Sequence, residues 1–408
     1  MSKKFNRDIV VTLITNGINI FAGVAISILV ARSLGVELKG IYTVSLSLVN
    51  FFLYFANFGI TNATSYFTAK GKLRKTTIVS NTTILALYSS IIVLTIGVLI
   101  IWALSKTLLS QMPILYILIP LISLPFNILS NYLKNVILGE NNIKLYNFIS
   151  YFRQLSELLL IIILLFGFGF SIGGALLSYT ISSIISAIVI FLLVYRSINF
   201  QQSAINLKYI REIIRYGYKA YLVNIFSYVN LFSDIFLVYY FLGPFSTGIY
   251  SVASNFVIQL SFVPTTINLL LAPHIASNEN ENTRKILIKK SLIFITLFLL
   301  FIFPVVFLYG KQIIVLLFGK QFISSIVPLR ILLFGMIPLS IWKVFSGHLF
   351  GAGKPGRNVL SSSLSAIANI LLNILLIPRY GVVGAAISSV ISYTVMFIIS
   401  TFQLWHYK

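Results

Sequence analysis

The sequence predicts an all-α membrane protein. Twelve transmembrane helices are expected, in two parallel-topology six-helix halves around a central cavity, with both termini cytoplasmic. Three observations carry that reading. Of 408 residues, 58% are hydrophobic and only 9% charged, too little charge to cover a soluble chain of this length. The apolar residues form runs such as "IVVTLITNGINIFAGVAISILVA" (9–31) and "SLIFITLFLLFIFPVVFLYG" (291–310). Each run is long enough to cross ~30 Å of hydrocarbon as a helix. Finally, part of the chain repeats after 208 residues.

The first span, 9–31, follows "MSKKFNRD". It is longer than a signal-peptide core and lacks a small-residue cleavage site, so it is expected to be retained. Spans at 41–66 and 77–103 flank the basic segment "AKGKLRKTT" (69–77), and spans at 113–137, 145–167 and 172–195 complete an amino-terminal half, 1–205. The connector contains "LKYIREIIRYG", with Ile210, Ile213 and Ile214 on one helical face and Lys208, Arg211, Glu212 and Arg215 around the other. It reads either as an interfacial helix on the anionic inner leaflet or as a plain basic connector. Spans at 216–241, 248–273, 291–309, 327–349, 358–377 and 383–405 make up the carboxyl-terminal half, 206–408. Pro120, Pro125, Pro264, Pro304 and Pro338 interrupt spans 4, 8, 9 and 10 and are expected to kink them.

With the amino terminus inside, 20 of the 30 Lys and Arg fall in inside segments and 6 in outside segments or their edges. That bias fixes both termini in the cytoplasm. It also accounts for most of the +22 net charge, which argues against nucleic acid as a partner. There is no cysteine, which excludes disulfides, thiol nucleophiles and Cys-ligated metals. Three scattered histidines and eight acids leave little for a metal site.

The repeat is clearest where "LGVELKGIY" (34–42) falls on "LGPFSTGIY" (242–250). Nine of 36 positions from Arg7 to Tyr42 are identical at this offset, including Asn16 with Asn224. Fainter echoes pair "ILGENN" (137–142) with "LFGAGKP" (349–355), and "GGALLSYTISS" (173–183) with "VGAAISSVISY" (383–393). Six helices per half give both halves the same orientation, so the substrate path is expected between them, opened by rocking one against the other. Gly35 and Gly243 are expected to end helices in the left-handed conformation, with Gly40 and Gly248 easing the next start. Tyr42 and Tyr250 are assigned to hairpin geometry and not to ligand binding.

Ionisable groups inside spans mark function, since each costs about 3 kcal/mol or more in lipid. On span 7, Asn224, Ser227, Asn230 and Asp234 recur at steps of 3, 3 and 4 and share one stripe. Span 1 carries the start of the same stripe in Thr12, Asn16 and Asn19, but Ile26 stands at the position of Asp234. Span 11 aligns Ser362, Ser365, Asn369 and Asn373. An acid and amide oxygens on facing helices suit a hard cation such as Na+. The alternative is interhelical hydrogen bonding alone. Arg32, Lys134, Arg153, Arg330 and Lys343, with Asn16 and Asn224, are the candidates for an anionic substrate, because guanidinium and ammonium groups recognise phosphate. Arg153 and Glu157 are four apart and placed to pair. Arg32 and Lys134, near span ends, are placed to snorkel instead.

The stretch "ARSLGVELKGIYTVSLSLVNFFLYFANFGITNATSYFTAKGK" (31–72) resembles the opening of Wzx-type polysaccharide flippases. These belong to the multidrug, oligosaccharidyl-lipid and polysaccharide exporter superfamily. Chain length, twelve spans and parallel halves fit the resemblance throughout. It implies translocation of undecaprenyl-pyrophosphate-linked oligosaccharides from the inner to the outer leaflet of a bacterial cytoplasmic membrane by alternating access. A polysaccharide polymerase or assembly proteins would be partners, and no cofactor is implied beyond a Na+ or H+ coupling ion. The related lipid II flippases build a sodium site from an acid on span 7, an Asn and an acid on span 11, and a Thr on span 12. By that resemblance Asp234, Asn369, Asn373 and Ser389 would take part beside Asn230, with Asn373 replacing the acid and Ser389 the Thr. An ion-coupled multidrug antiporter of the same superfamily is the alternative, although in-span bases outnumber acids here. A membrane enzyme would need clustered acids or histidines, and a facilitator-type sugar transporter a different loop after span 2. Neither pattern is present.

Overall fold

A computed structural model describes residues 3–71, 74–107, 109–196, 206–276 and 280–405. Among the described residues, thirteen α-helices follow one another: α1 Lys3–Asn57, α2 Ile60–Lys70, α3 Lys75–Leu104, α4 Leu115–Leu121, α5 Leu124–Gly139, α6 Ile143–Ile161, α7 Ile172–Tyr195, α8 Leu207–Leu260, α9 Phe262–Ala276, α10 Glu281–Phe318, α11 Ile326–Gly351, α12 Pro355–Tyr380 and α13 Val382–Trp405. No strand occurs among the described residues. Local chemistry sets several boundaries. Asn142 and Asn280 cap α6 and α10 by accepting from backbone N–H groups of their first turns, which would otherwise lack partners. Pro355 opens α12, where a missing N–H costs nothing.

Among the described residues, ten helical stretches are long and apolar enough to cross a membrane, the first near the amino terminus and the last at Val382–Leu404. The protein is a multi-pass membrane protein. The expectation was twelve separate spans; the first two follow one another directly across Gly35, and the seventh and eighth across Gly243. The long helices α1 and α8 each run over two predicted spans, and each contains one residue with non-helical dihedrals. Those residues are Gly35 (φ 77°, ψ −176°) and Gly243 (φ 77°, ψ −177°). The kinks lie one repeat apart and share a conformation. That conformation is not the left-handed helical one expected but the extended positive-φ region, which is essentially reserved for glycine. At Gly243 the chain doubles back. Tyr250 donates to Asp234 at 2.7 Å, whereas two residues 16 apart in a straight helix would be about 24 Å apart.

Prolines acted unevenly. The fourth predicted span is split into α4 and α5 around Pro120 and Pro125. Pro304 and Pro338 sit inside α10 and α11 without ending them. The segment "LKYIREIIRYG" is not a separate interfacial helix. It is the start of α8, and it buries Tyr209 and Ile213 while Ile214 stays exposed. The expected three-isoleucine face is therefore only partly used.

The described chain forms two compact units, one of Met1–Leu34 with Ser45–Tyr221 and one of Gly35–Val44 with Leu222–Lys408. Within the first, α5 packs on α2, α3, α6 and α7, and α7 also packs on α6. Within the second, α11 packs on α9, α10, α12 and α13, and α13 also packs on α12. The two lists are the same list shifted by one repeat. The core of the second unit closes around Leu339, Trp342, Tyr393 and Met396.

The second unit also holds the two turn motifs. A Cβ on Gly40 would lie 1.9 Å from the carbonyl oxygen of Pro244, and a Cβ on Gly248 would lie 2.0 Å from that of Val36. Val36 and Pro244 are equivalent in the repeat, so the contact is reciprocal, as in an isologous interface. Gly40 and Gly248 are therefore required by backbone approach, not only to start a helix.

Candidate functional site

Asp234 is 1% exposed, and its carboxylate is surrounded by donors from three directions. Asn373 on α12 donates through Nδ2 to Oδ1 at 2.5 Å. Tyr250, from the returning arm of α8, donates to Oδ2 at 2.7 Å. Ser389 on α13 donates to the same oxygen. Around this centre Asn373 also donates to Asn369 Oδ1 at 3.0 Å, and Ser233 to that atom at 2.6 Å. One turn earlier on α8, Asn230 donates to Ser365 Oγ at 2.8 Å, and Ser365 to the carbonyl oxygen of Ser392 at 2.6 Å. Asp234 has no cationic partner among the described residues. Its charge is met by neutral donors only, and hydrogen bonds to a charged group are each worth about 1.5–3 kcal/mol. Two acceptors in the cluster, Asn373 Oδ1 and Asn230 Oδ1, are buried without a partner.

The predicted ion residues Asp234, Asn369, Asn373 and Ser389 are thus brought together, with Asn230 beside them. The network also includes Ser233 and Ser392, which the sequence did not single out. Tyr250, assigned to hairpin geometry, joins the two arms of the hairpin through its hydroxyl, which bonds the acid directly. A signal was available: Asp234 precedes Gly243 by nine residues and Tyr250 follows it by seven. A helix folded at that glycine sets them level. At the repeat-equivalent position Ile26 is buried, so the fold fills that site equally well without a charge.

The predicted substrate residues lie elsewhere. Lys134 on α5 is half-buried with Nζ 5.1 Å from the ring centre of Tyr146. Arg153 on α6 donates to Ser183 at 3.3 Å and lies over the ring of Tyr179 at 4.9 Å. A close ion pair among the described residues joins Lys75 and Glu140 at 2.7 Å. Lys343 on α11 donates to Thr265, and its carbonyl oxygen accepts from Asn268 at 2.7 Å. Arg330 packs on Phe307. Arg32 is exposed. Asn224 is half-buried and makes no hydrogen bond to the Asp234 network. The side chain of Asn16 lies outside the described residues.

The fold matches an inward-facing multidrug resistance MATE family transporter of the MOP superfamily, with a TM-score of 0.80 at 15% identity over 95% of this chain and 94% of that one. It also matches the lipid II flippase MurJ in an inward closed conformation, with a TM-score of 0.75 at 15% identity over 97% and 87% of the two chains. A third match is a MOP superfamily transporter from Pyrococcus furiosus, described as having a binding pocket of reverse polarity, at TM-score 0.67 and 14% identity over 98% and 94%. Residues 5–277 match the family described as "Polysaccharide biosynthesis protein", and the chain belongs to that family. Two uncharacterized membrane proteins of Methanocaldococcus jannaschii are similar in sequence. MJ1375 is 24% identical over 256 residues, and MJ1068 is 36% identical over 84. Those alignments span 58% and 21% of this chain, and 59% and 16% of the relatives' own lengths. The resemblance carried by residues 31–72 holds at the level of family and fold.

Proposed function

We propose that this protein is a flippase. It moves undecaprenyl-pyrophosphate-linked oligosaccharide repeat units from the inner to the outer leaflet of the cytoplasmic membrane by alternating access, with no chemical step. The observation that carries this is the state of Lys134 and Lys343. Both are half-buried in apolar helices, and both have neutral partners, the ring of Tyr146 and the hydroxyl of Thr265. An ammonium group kept at such cost without a protein carboxylate is available to an anion. A pyrophosphate supplies that anion, and membership of a polysaccharide biosynthesis family supplies the attached glycan. A polymerase or other assembly proteins would take up the product.

The proposed topology has twelve crossings in two parallel halves, 1–205 and 206–408, with both termini cytoplasmic. Its support is length: the stretches Gly17–Asn57 and Tyr221–Leu260 have 41 and 40 residues. A helix of that size measures about 60 Å, twice a hydrocarbon core, and each contains the glycine kink.

The Asp234 network is proposed to couple transport to Na+ or H+. The residues fit either ion. Asp234, Asn369, Asn373 and Ser389 offer only oxygen ligands, and the unpartnered Asn373 Oδ1 is one turn of its side chain from the carboxylate. Bound there, Na+ would supply the positive charge that no protein group supplies. For a proton, Ser389 and Tyr250 can accept from the acid as well as donate to it. The same network favours a second reading, an ion-coupled multidrug antiporter. The two readings separate on Lys343→Gln. A flippase of anionic lipid should lose about tenfold or more in glycan-lipid transport, the loss of roughly one charge-assisted contact. An antiporter of cations should be unchanged or faster with a cationic dye.

A further inference from the structure

The helices α10 and α11 enclose a groove of about 520 Å³, lined by Leu299, Phe303, Pro304, Phe307, Ile337 and Ile341 with Thr296 as its hydroxyl. It shares no residue with the Asp234 network or with the surroundings of Lys134 and Lys343. Its rim is open, since Leu300 and Leu308 are 67% and 63% exposed. Pro304 lacks an N–H, so the Leu300 carbonyl loses its usual helical partner and α10 is loosened beside the groove. The floor is a fixed aromatic cluster. The rings of Phe303 and Phe307 are nearly parallel at 5.7 Å, and both meet Phe334 edge-on, at 5.1 and 6.0 Å.

A cation stands at one end of this otherwise uncharged groove. Arg330 donates from Nε to the Phe307 carbonyl oxygen at 3.1 Å, and its guanidinium lies 5.1 Å from the Phe307 ring centre. Holding the guanidinium by Nε and by one face leaves both Nη groups without a protein acceptor among the described residues. That fork is the geometry that grips a phosphate. From Thr296 to Leu308 the groove follows α10 for twelve residues, about 18 Å, which is close to the depth of one leaflet of a ~30 Å core.

We infer that this groove binds an acyl chain of an anionic phospholipid whose phosphate is held by Arg330. Length selects a chain that ends near the bilayer midplane, apolarity selects hydrocarbon, and the tethered guanidinium selects a phosphate over a neutral surface. The inference does not depend on the transported substrate.

The test is native mass spectrometry of the full-length protein in neutral detergent, with phosphatidylglycerol and phosphatidylcholine of identical chains added in turn. The wild type should retain phosphatidylglycerol about fivefold better, the equivalent of one basic contact. Arg330→Gln should bring the ratio near unity, Arg330→Lys should keep part of it, and Ile337→Trp, which fills the groove, should lose both lipids. Equal retention of the two lipids by the wild type, or an unchanged ratio in Arg330→Gln, overturns the inference. So does displacement of phosphatidylglycerol by undecaprenyl phosphate at lower concentration with the same sensitivity to Ile337→Trp, which would assign the groove to a prenyl chain. The wild-type ratio reads out even if a variant fails to fold.

Discussion

Asp234 is a lone carboxylate in a hydrocarbon setting, and its neighbours are arranged to tolerate charge without cancelling it. Asn373, Tyr250 and Ser389 reach it from α12, the second arm of α8 and α13. A structural hydrogen-bond cluster would need no acid, as the buried Ile26 at the equivalent position illustrates. If the acid couples transport to an ion, Asp234→Asn should abolish the response of transport to both a Na+ gradient and a pH gradient while the protein still folds. Tyr250→Phe should keep the response but lower unfolding stability in micelles by about 1.5–3 kcal/mol, the value of a hydrogen bond to a charged group. Unchanged gradient responses in Asp234→Asn would remove the acid from the mechanism. Much of this site was legible, because the stripe on span 7 and the stripe on span 11 each obey helical spacing. The bond from Tyr250 to the acid was not read, because spacing within one helix does not rank the contacts between the two arms of a hairpin. The contacts of Arg153 with Ser183 and Tyr179 were not legible either, since both partners come from a distant helix.

The kinked helices explain why the glycines of the repeat recur. Gly35 and Gly243 hold positive φ with extended ψ, which a Cβ would make costly. Gly40 and Gly248 are fixed by their neighbours instead, since a Cβ on either would overlap a carbonyl oxygen of the other turn. Gly248→Ala should therefore destabilise the protein by about 3 kcal/mol or more, in the range seen when a close-packed contact is forced apart. Gly17→Ala is the control, because nothing lies within 4 Å of its Cβ position. That change should be neutral or stabilise α1 by about 0.5–1 kcal/mol. Thermal unfolding in detergent reads both, and equal melting temperatures for the two variants would contradict the packing account. The sequence pointed to glycine at all four positions. Which dihedrals and which neighbours required them depended on tertiary contact.

Across the whole molecule, composition and charge bias made the class plain, and the repeat anticipated the common packing list of the two units. The count of crossings was harder to see, since a glycine kink can either reverse a helix or merely bend it. The absence of native cysteine makes topology directly measurable. Glu37→Cys and Phe245→Cys, at the two kinks, should both label from outside intact cells with a membrane-impermeant maleimide, and Lys144→Cys only after permeabilisation. Labelling of the kink positions only after permeabilisation would contradict the twelve-crossing topology. The most direct measurement is of transport itself. Purified protein is placed in proteoliposomes with a fluorescent undecaprenyl-pyrophosphate-linked oligosaccharide, and the fraction reaching the opposite leaflet is followed by quenching. The flippase account predicts movement well above empty liposomes, reduced by Lys343→Gln and driven by a Na+ or pH gradient in the wild type but not in Asp234→Asn. No movement of any such glycan, with gradient-driven transport of a cationic dye in the same vesicles, would contradict it.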